Sequence, residues 1–82
     1  MIKTSVLLFA HFADRAGSNQ VELTIADNAT VADCAAELIR RYPNLVDLLK
    51  VGRTAVNSEF VDAGHRLHDG DEVAFLPPVS GG

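Results

Sequence analysis

Apolar and polar positions follow two periods along this chain, one of two residues and one of three to four. Val21, Leu23 and Ile25 alternate with Glu22, Thr24 and Ala26, which predicts a half-buried strand. Ile2 to Ala10 is rich in β-formers but lacks a polar face: Val6 and Leu8 point one way, Leu7 and Phe9 the other. Such a strand is central in its sheet, or its second face meets a partner. Glu72 to Leu76 reads as the last strand, with Val73 and Phe75 on one face and Ala74 and Leu76 on the other. Phe75 and Leu76 oppose each other, so one of them leaves the core. Thr54 to Asn57, after Gly52, predicts a further strand.

Between the second and third strands the period changes. Thr30-Val31-Ala32-Asp33 has the form of a capping box, with Asp in place of the usual Glu. Val31, Ala35, Leu38, Ile39 and Tyr42 follow at helical spacing, and Pro43 stops the helix. Leu45 to Leu49 adds a short helical turn. Asp14 to Asn19, with Gly17, reads as a turn, as does Asp69-Gly70. The order β-β-α-β-(β)-β predicts an α+β fold, a mixed sheet wrapped on one main helix. The two terminal strands are expected to be parallel central neighbours.

Size and charge narrow the function. Eighty-two residues make one small domain with a marginal core, so most apolar positions are committed to folding. A binding module, a carrier or a subunit of a larger partner fits; a self-contained multidomain enzyme does not. The net charge of −4 and the absence of a basic block argue against nucleic acid. The longest apolar run, Val6 to Ala10, is far too short to span a membrane. Cys34 is the only cysteine, which excludes an internal disulfide and a cysteine metal cluster and fits a reducing, cytoplasmic compartment. It sits beside the helical stripe and reads as a buried structural thiol. His11, His65 and His68 lack the geometry of a ligand set, so no metal is expected. Glu59, Asp62 and Arg66 read either as a solvated face or as salt links to another protein.

The end of the chain is chemically distinctive. Residues 1–76 form the expected domain and residues 77–82 an extended tail, Pro77-Pro78-Val79-Ser80-Gly81-Gly82. The prolines cannot donate to a ladder, so the sheet ends there. Two glycines add nothing to a core, but they pass through a narrow channel and present a carboxylate to chemistry. A carboxylate becomes an acyl donor once adenylated by ATP; a sulfur nucleophile then yields a thiocarboxylate and an amine an amide. No glycine-rich phosphate loop is present, so a separate activating enzyme is required.

The stretch from Asp69 to Gly82, with Ala55-Val56-Asn57, His65-x-Leu67 and Phe9-Ala10, resembles the small subunit of molybdopterin synthase, a ubiquitin-like sulfur carrier of the MoaD/ThiS family. The resemblance spans the whole length and implies a β-grasp fold. It implies that the Gly82 carboxylate is adenylated by an ATP-dependent activating enzyme and converted to a thiocarboxylate, with Gly81 as the slender neck. The tail would enter the large synthase subunit and give its sulfur to cyclic pyranopterin monophosphate, building the molybdopterin dithiolene. Two small subunits would flank a dimer of the large one, which would supply the catalytic side chains; this chain would bind no cofactor. The partner surface carried over from the family is an apolar patch of Phe9, Phe60 and Leu76, continued by Pro77, Pro78, Val79 and Ser80. Family members often carry an aromatic residue where Leu76 stands, which alters only the detailed packing. From the residues alone, Phe9 is equally readable as core. A sulfur carrier of thiamine biosynthesis, a ubiquitin-like protein modifier and a plain β-grasp interaction module stand as alternatives.

Overall fold

The computed structural model describes residues 1–78, so the roles expected of Val79, Ser80, Gly81 and Gly82 lie outside the described residues. The chain runs β1 (Ile2–Leu8), α1 (His11–Ala16), β2 (Gln20–Ile25), α2 (Val31–Arg41), a 3₁₀ turn (Pro43–Leu45), α3 (Val46–Val51), β3 (Arg53–Val56), β4 (Glu59–Val61) and β5 (Glu72–Leu76). The sheet order is β2-β1-β5-β3-β4. β1 and β5 are parallel neighbours in the middle, and the other pairings are antiparallel. This is the mixed α+β sheet of the β-grasp, ubiquitin-like architecture.

One face of the sheet meets α2. Val6 and Leu8 of β1, Leu23 of β2, Val73 and Phe75 of β5, and Leu38 of α2 are fully or almost fully buried together. Phe75 meets Phe12 with ring centroids 6.4 Å apart. On α2 the buried positions are Val31, Cys34 and Leu38, so Cys34 lies inside the apolar stripe rather than beside it. Burial pushes the Cys34 thiol up to about 11, against a smaller opposite effect of the Thr4 hydroxyl, which makes it a poor nucleophile. The capping box at Thr30 forms in both directions, with Thr30 Oγ1 accepting from the Asp33 N–H at 3.3 Å and Asp33 accepting from the Thr30 N–H at 2.9 Å.

Two elements differ from the pattern-based reading. β1 ends at Leu8, and Asp14 to Ala16, expected as turn, belong to α1; only Gly17, at φ 73°, begins the turn. β3 ends at Val56, because Asn57 and Ser58 take φ of 50° and 73° and form the two-residue turn into β4.

Asn57 ties that turn to the start of β5. Its side chain donates to Asp71 Oδ1 at 2.9 Å and accepts from the Glu72 N–H at 3.0 Å. The His68 N–H donates to Asp71 Oδ2 at 2.8 Å. Burial alone would raise the Asp71 pKa. The hydrogen bonds from His68 and Asn57, with the nearby His68 and His65 rings, outweigh it and hold the carboxyl below its ordinary value. A depressed folded pKa stabilises above the unfolded carboxylate range, near pH ~3.9, and that contribution is lost as pH falls through the folded value. Asp71→Asn is therefore expected to lose about 2 kcal/mol at neutral pH, the scale of hydrogen bonds to a charged acceptor. The gap to the parent should begin to narrow at about pH 4 and close only below the depressed folded value, in urea titrations run at several pH values. A pH-independent gap would show that the charge plays no part.

Candidate functional site

β5 delivers the tail from the centre of the sheet. Its last paired residue, Leu76, lies opposite Arg53, and on the β1 side the ladder already ends at Leu8 opposite Phe75. Pro77 and Pro78 follow, both exposed, and neither carries an N–H to extend the ladder. The chain is therefore released at a fixed point and direction, between the end of β1 and the beginning of β3.

The sheet face turned away from α2 is apolar around this point. Cross-strand pairing sets Leu7 beside Ala74, Ala74 beside Ala55, and Ala55 beside Phe60, in one row across four strands. The next row holds Leu76 and Arg53. Ala55 is buried yet absent from the core cluster, which places its burial on this outer face. Phe60 is 57% exposed and Phe9 43% exposed, both unusually open for phenylalanine in so small a domain. The opposite half of the face is polar, with Lys3, Ser5, Gln20, Glu22 and Thr24. The Gln20 amide there donates to Ser5 Oγ at 2.8 Å. Only the tail-side half is thus suited to lose water against another protein.

Phe9 owes its outward position to a tight turn. The Phe12 N–H donates to the Phe9 carbonyl at 3.0 Å, which reverses the chain between the strand and α1. Phe12 drops into the core while Phe9 stays out. Ala10, between them, has φ 51° and ψ −123°, a region where only glycine sits without steric cost. Ala10→Gly removes about 1–3 kcal/mol of strain and adds unfolded-state entropy worth somewhat less. The net expectation is a gain of about 1 kcal/mol, read as a rise of about 5 °C in melting temperature. An unchanged or lowered melting temperature would contradict it.

The structure thus brings Leu76, Pro77 and Pro78 together at the tail root, with Phe60 on the same face and Phe9 just past the end of β1. Phe9 is not core, and of the opposed pair it is Phe75 that is buried. Gly52 and Arg53 also belong to the site; in the sequence Gly52 only marked the approach to a strand, and Arg53 carried no signal of its own. A Cβ on Gly52 would lie 2.6 Å from the Leu76 carbonyl oxygen. The Arg53 guanidinium carbon sits 3.9 Å from the Phe60 ring centroid. His65 and His68 lie on the loop before β5, at the opposite end of that strand from Leu76, with His68 Nδ1 3.9 Å from Asp71 Oδ2. Glu59, Asp62 and Arg66 are exposed. Among the described residues, no three His, Cys, Asp or Glu side chains converge as a metal site would require. None of the described helices is long and apolar enough to cross a membrane.

Comparison with known proteins agrees with this geometry. Residues 6–82 match the ThiS family. The molybdopterin synthase sulfur carrier subunit of Chlamydomonas reinhardtii is 37% identical, over 99% of this chain and 100% of that one. The protein of the same name from Escherichia coli K12 is 39% identical over 100% of both chains. Among solved structures, small archaeal modifier protein 1 of Haloferax volcanii superposes with a TM-score of 0.91 at 29% identity, covering 96% of this chain and 100% of that one. A chain in the complex of subunits 1 and 2 of the molybdopterin-converting factor of Helicobacter pylori 26695 shares the fold. Its TM-score is 0.71 at 23% identity, over 99% of this chain and 100% of that one. With a family match over nearly its whole length and full-length relatives above 30% identity, the chain belongs to the ThiS family, the ubiquitin-like sulfur carriers.

Proposed function

We propose that this chain is the sulfur-carrying small subunit of a molybdopterin synthase. Its support is the release of the tail from a central strand, through Pro77 and Pro78, beside an apolar face on a chain whose full-length relatives bear that name. The Gly82 carboxylate attacks the α-phosphate of ATP in a separate activating enzyme, and pyrophosphate leaves. A sulfur nucleophile then attacks the acyl carbon, AMP leaves, and Gly82 ends in a thiocarboxylate. In the large subunit the sulfur passes to cyclic pyranopterin monophosphate, and oxygen from water restores the carboxylate. A dithiolene needs two sulfurs, hence two charged carriers for each pterin, which fits two small subunits flanking a dimer of large ones. This chain supplies no catalytic side chain and binds no cofactor; ATP is bound by the activating enzyme.

The face of Phe9, Phe60 and Leu76 is the docking surface, and Pro77 to Ser80 fill the channel that leads to the large subunit's chemistry. Gly81 and Gly82 are the narrow end that reaches it. A second reading has a specific observation behind it: the close superposition on an archaeal modifier protein. In that reading the adenylated Gly82 is attacked by a lysine amine and ends in an isopeptide bond.

Mass spectrometry separates the two. The chain is incubated with its activating enzyme, ATP and a sulfur donor, then cut with trypsin. Cleavage after Arg66 releases Leu67 to Gly82, which contains neither Met1 nor Cys34, so oxidation cannot mimic the signal. Replacement of one oxygen by sulfur in that fragment, dependent on ATP, is the expected result. Lysine-linked adducts in cell extract without that replacement would favour the modifier. Transfer to a thiamine precursor rather than to the pterin would move the carrier to the other pathway. Neither sulfur nor adducts, with a competent activating enzyme, would leave a plain interaction module.

A further inference from the structure

Among the described residues, the tail-side apolar half of the face carries one cation, and it cannot be left out of any contact that covers the tail root. Arg53 lies opposite Leu76 in the ladder and two residues before Ala55, whose cross-strand neighbour is Phe60. Its guanidinium stacks on the Phe60 ring at 3.9 Å. Among the described residues it makes no ion pair and no side-chain hydrogen bond; Arg66, exposed on the loop before β5, makes none either, whereas Arg15, Arg40 and Arg41 each have an acceptor within the chain. Stacking fixes the plane of the group and leaves the N–H donors at its edge without an acceptor among the described residues.

A protein that buries Phe60 and Leu76 also dries Arg53. A desolvated guanidinium without a counter-charge costs more than the apolar contacts around it return. A tight complex therefore requires an acceptor at that spot, and the fork of a guanidinium matches a carboxylate. The protein's overall charge of −4 makes this cation a local exception, so it acts on the fit of the complex rather than on long-range attraction.

We propose that Arg53 is a specificity residue of the docking face, and that the partner is a protein with an apolar recess for Phe60 and Leu76 and an Asp or Glu carboxylate set against the guanidinium. The proposal rests on the reading of this face as the docking surface.

The test measures binding of the full chain to the large synthase subunit of the same organism by titration calorimetry and surface kinetics. Arg53→Met keeps the apolar contact and removes the charge; it should weaken binding about tenfold or more, mainly through faster dissociation. Arg53→Lys keeps the charge but loses the fork and should fall between parent and Arg53→Met. Arg53→Glu should weaken binding about a hundredfold, and lysine in place of the partner's carboxylate should restore part of it. Thermal melts of each variant establish that the fold is intact. Phe60→Ala and Leu76→Ala are the controls for the face itself. If they weaken binding and Arg53→Met binds as well as the parent or better, the carboxylate proposal is overturned while the docking face stands. If Phe60→Ala and Leu76→Ala also bind normally, the docking reading fails first.

Discussion

Deletion of Gly82 is expected to abolish sulfur transfer while leaving the domain folded. The deleted chain still ends in a carboxylate, on Gly81, so chemical competence is not what is lost. Position is. One residue of extended chain spans about 3.4 Å, and the tail root is fixed at Leu76 by its pairing with Arg53. A carboxylate set back by that distance falls short of any active site shaped for the full tail. Misplacement of a reacting group by about 1 Å costs on the order of a hundredfold in rate, so the truncated chain should show no measurable thiocarboxylate. The core is untouched, because among the described residues its last member in sequence is Phe75. Melting temperature should therefore match the parent, and docking to the large subunit should persist through Phe60 and Leu76. The measurement is the tryptic fragment beginning at Leu67, with and without Gly82, after incubation with activating enzyme, ATP and sulfur donor. Parent-like sulfur incorporation in the truncated fragment would end the reading of Gly82 as the carrier.

Much of the fold was legible because its strands are periodic and its helix is capped. Apolar residues on both faces from Val6 to Phe9 announced the central position of β1, and Ala74 and Leu76 did the same for β5. Thr30 and Asp33 marked the start of α2, and the capping bonds form there. Other features were illegible for identifiable reasons. α1 has only six residues and buries a single phenylalanine, too little for a period to emerge, and its polar Asp14 and Arg15 resemble a turn. Cys34 is buried as its place in the sequence suggested, but it lies within the stripe, three residues after Val31 and four before Leu38, while Ala35 is only partly buried. For the site, opposed apolar residues on β1 and β5 revealed an outer face, and Pro77-Pro78 revealed where the tail departs. The contribution of Arg53 depends on its cross-strand position relative to Phe60 and Leu76, which only the strand register supplies.

Gly52 is the tertiary constraint the sequence concealed most completely, and Gly52→Ala is expected to be the most damaging single substitution near the tail. Its φ of −80° is open to any residue, so conformational freedom is not the reason for glycine. The reason is space. An added Cβ would lie 2.6 Å from the Leu76 carbonyl oxygen, 3.0 Å from the Leu48 carbonyl oxygen and 3.1 Å from the Phe12 ring. A ring can tilt, but the two oxygens are backbone. Leu48 O also accepts the Gly52 N–H at 2.9 Å, which closes α3, so moving that carbonyl strains the end of the helix. Moving the other shifts the last paired residue of β5. Overpacking against backbone costs about 3 kcal/mol, the upper end of its usual range. For a domain of this size that lowers the melting temperature by on the order of 15 °C. A second consequence separates position from stability. At a temperature where Gly52→Ala remains folded, the tail root is displaced and the yield of thiocarboxylate should still fall below that of the parent. Phe12→Leu serves as a comparison: it weakens the core without crowding Leu76 and should keep its yield wherever it is folded. Equal yields from both folded variants would show that the close approach of Gly52 serves packing alone. A deficit confined to Gly52→Ala would show that the tail is aimed by the backbone contact between α3, β3 and β5.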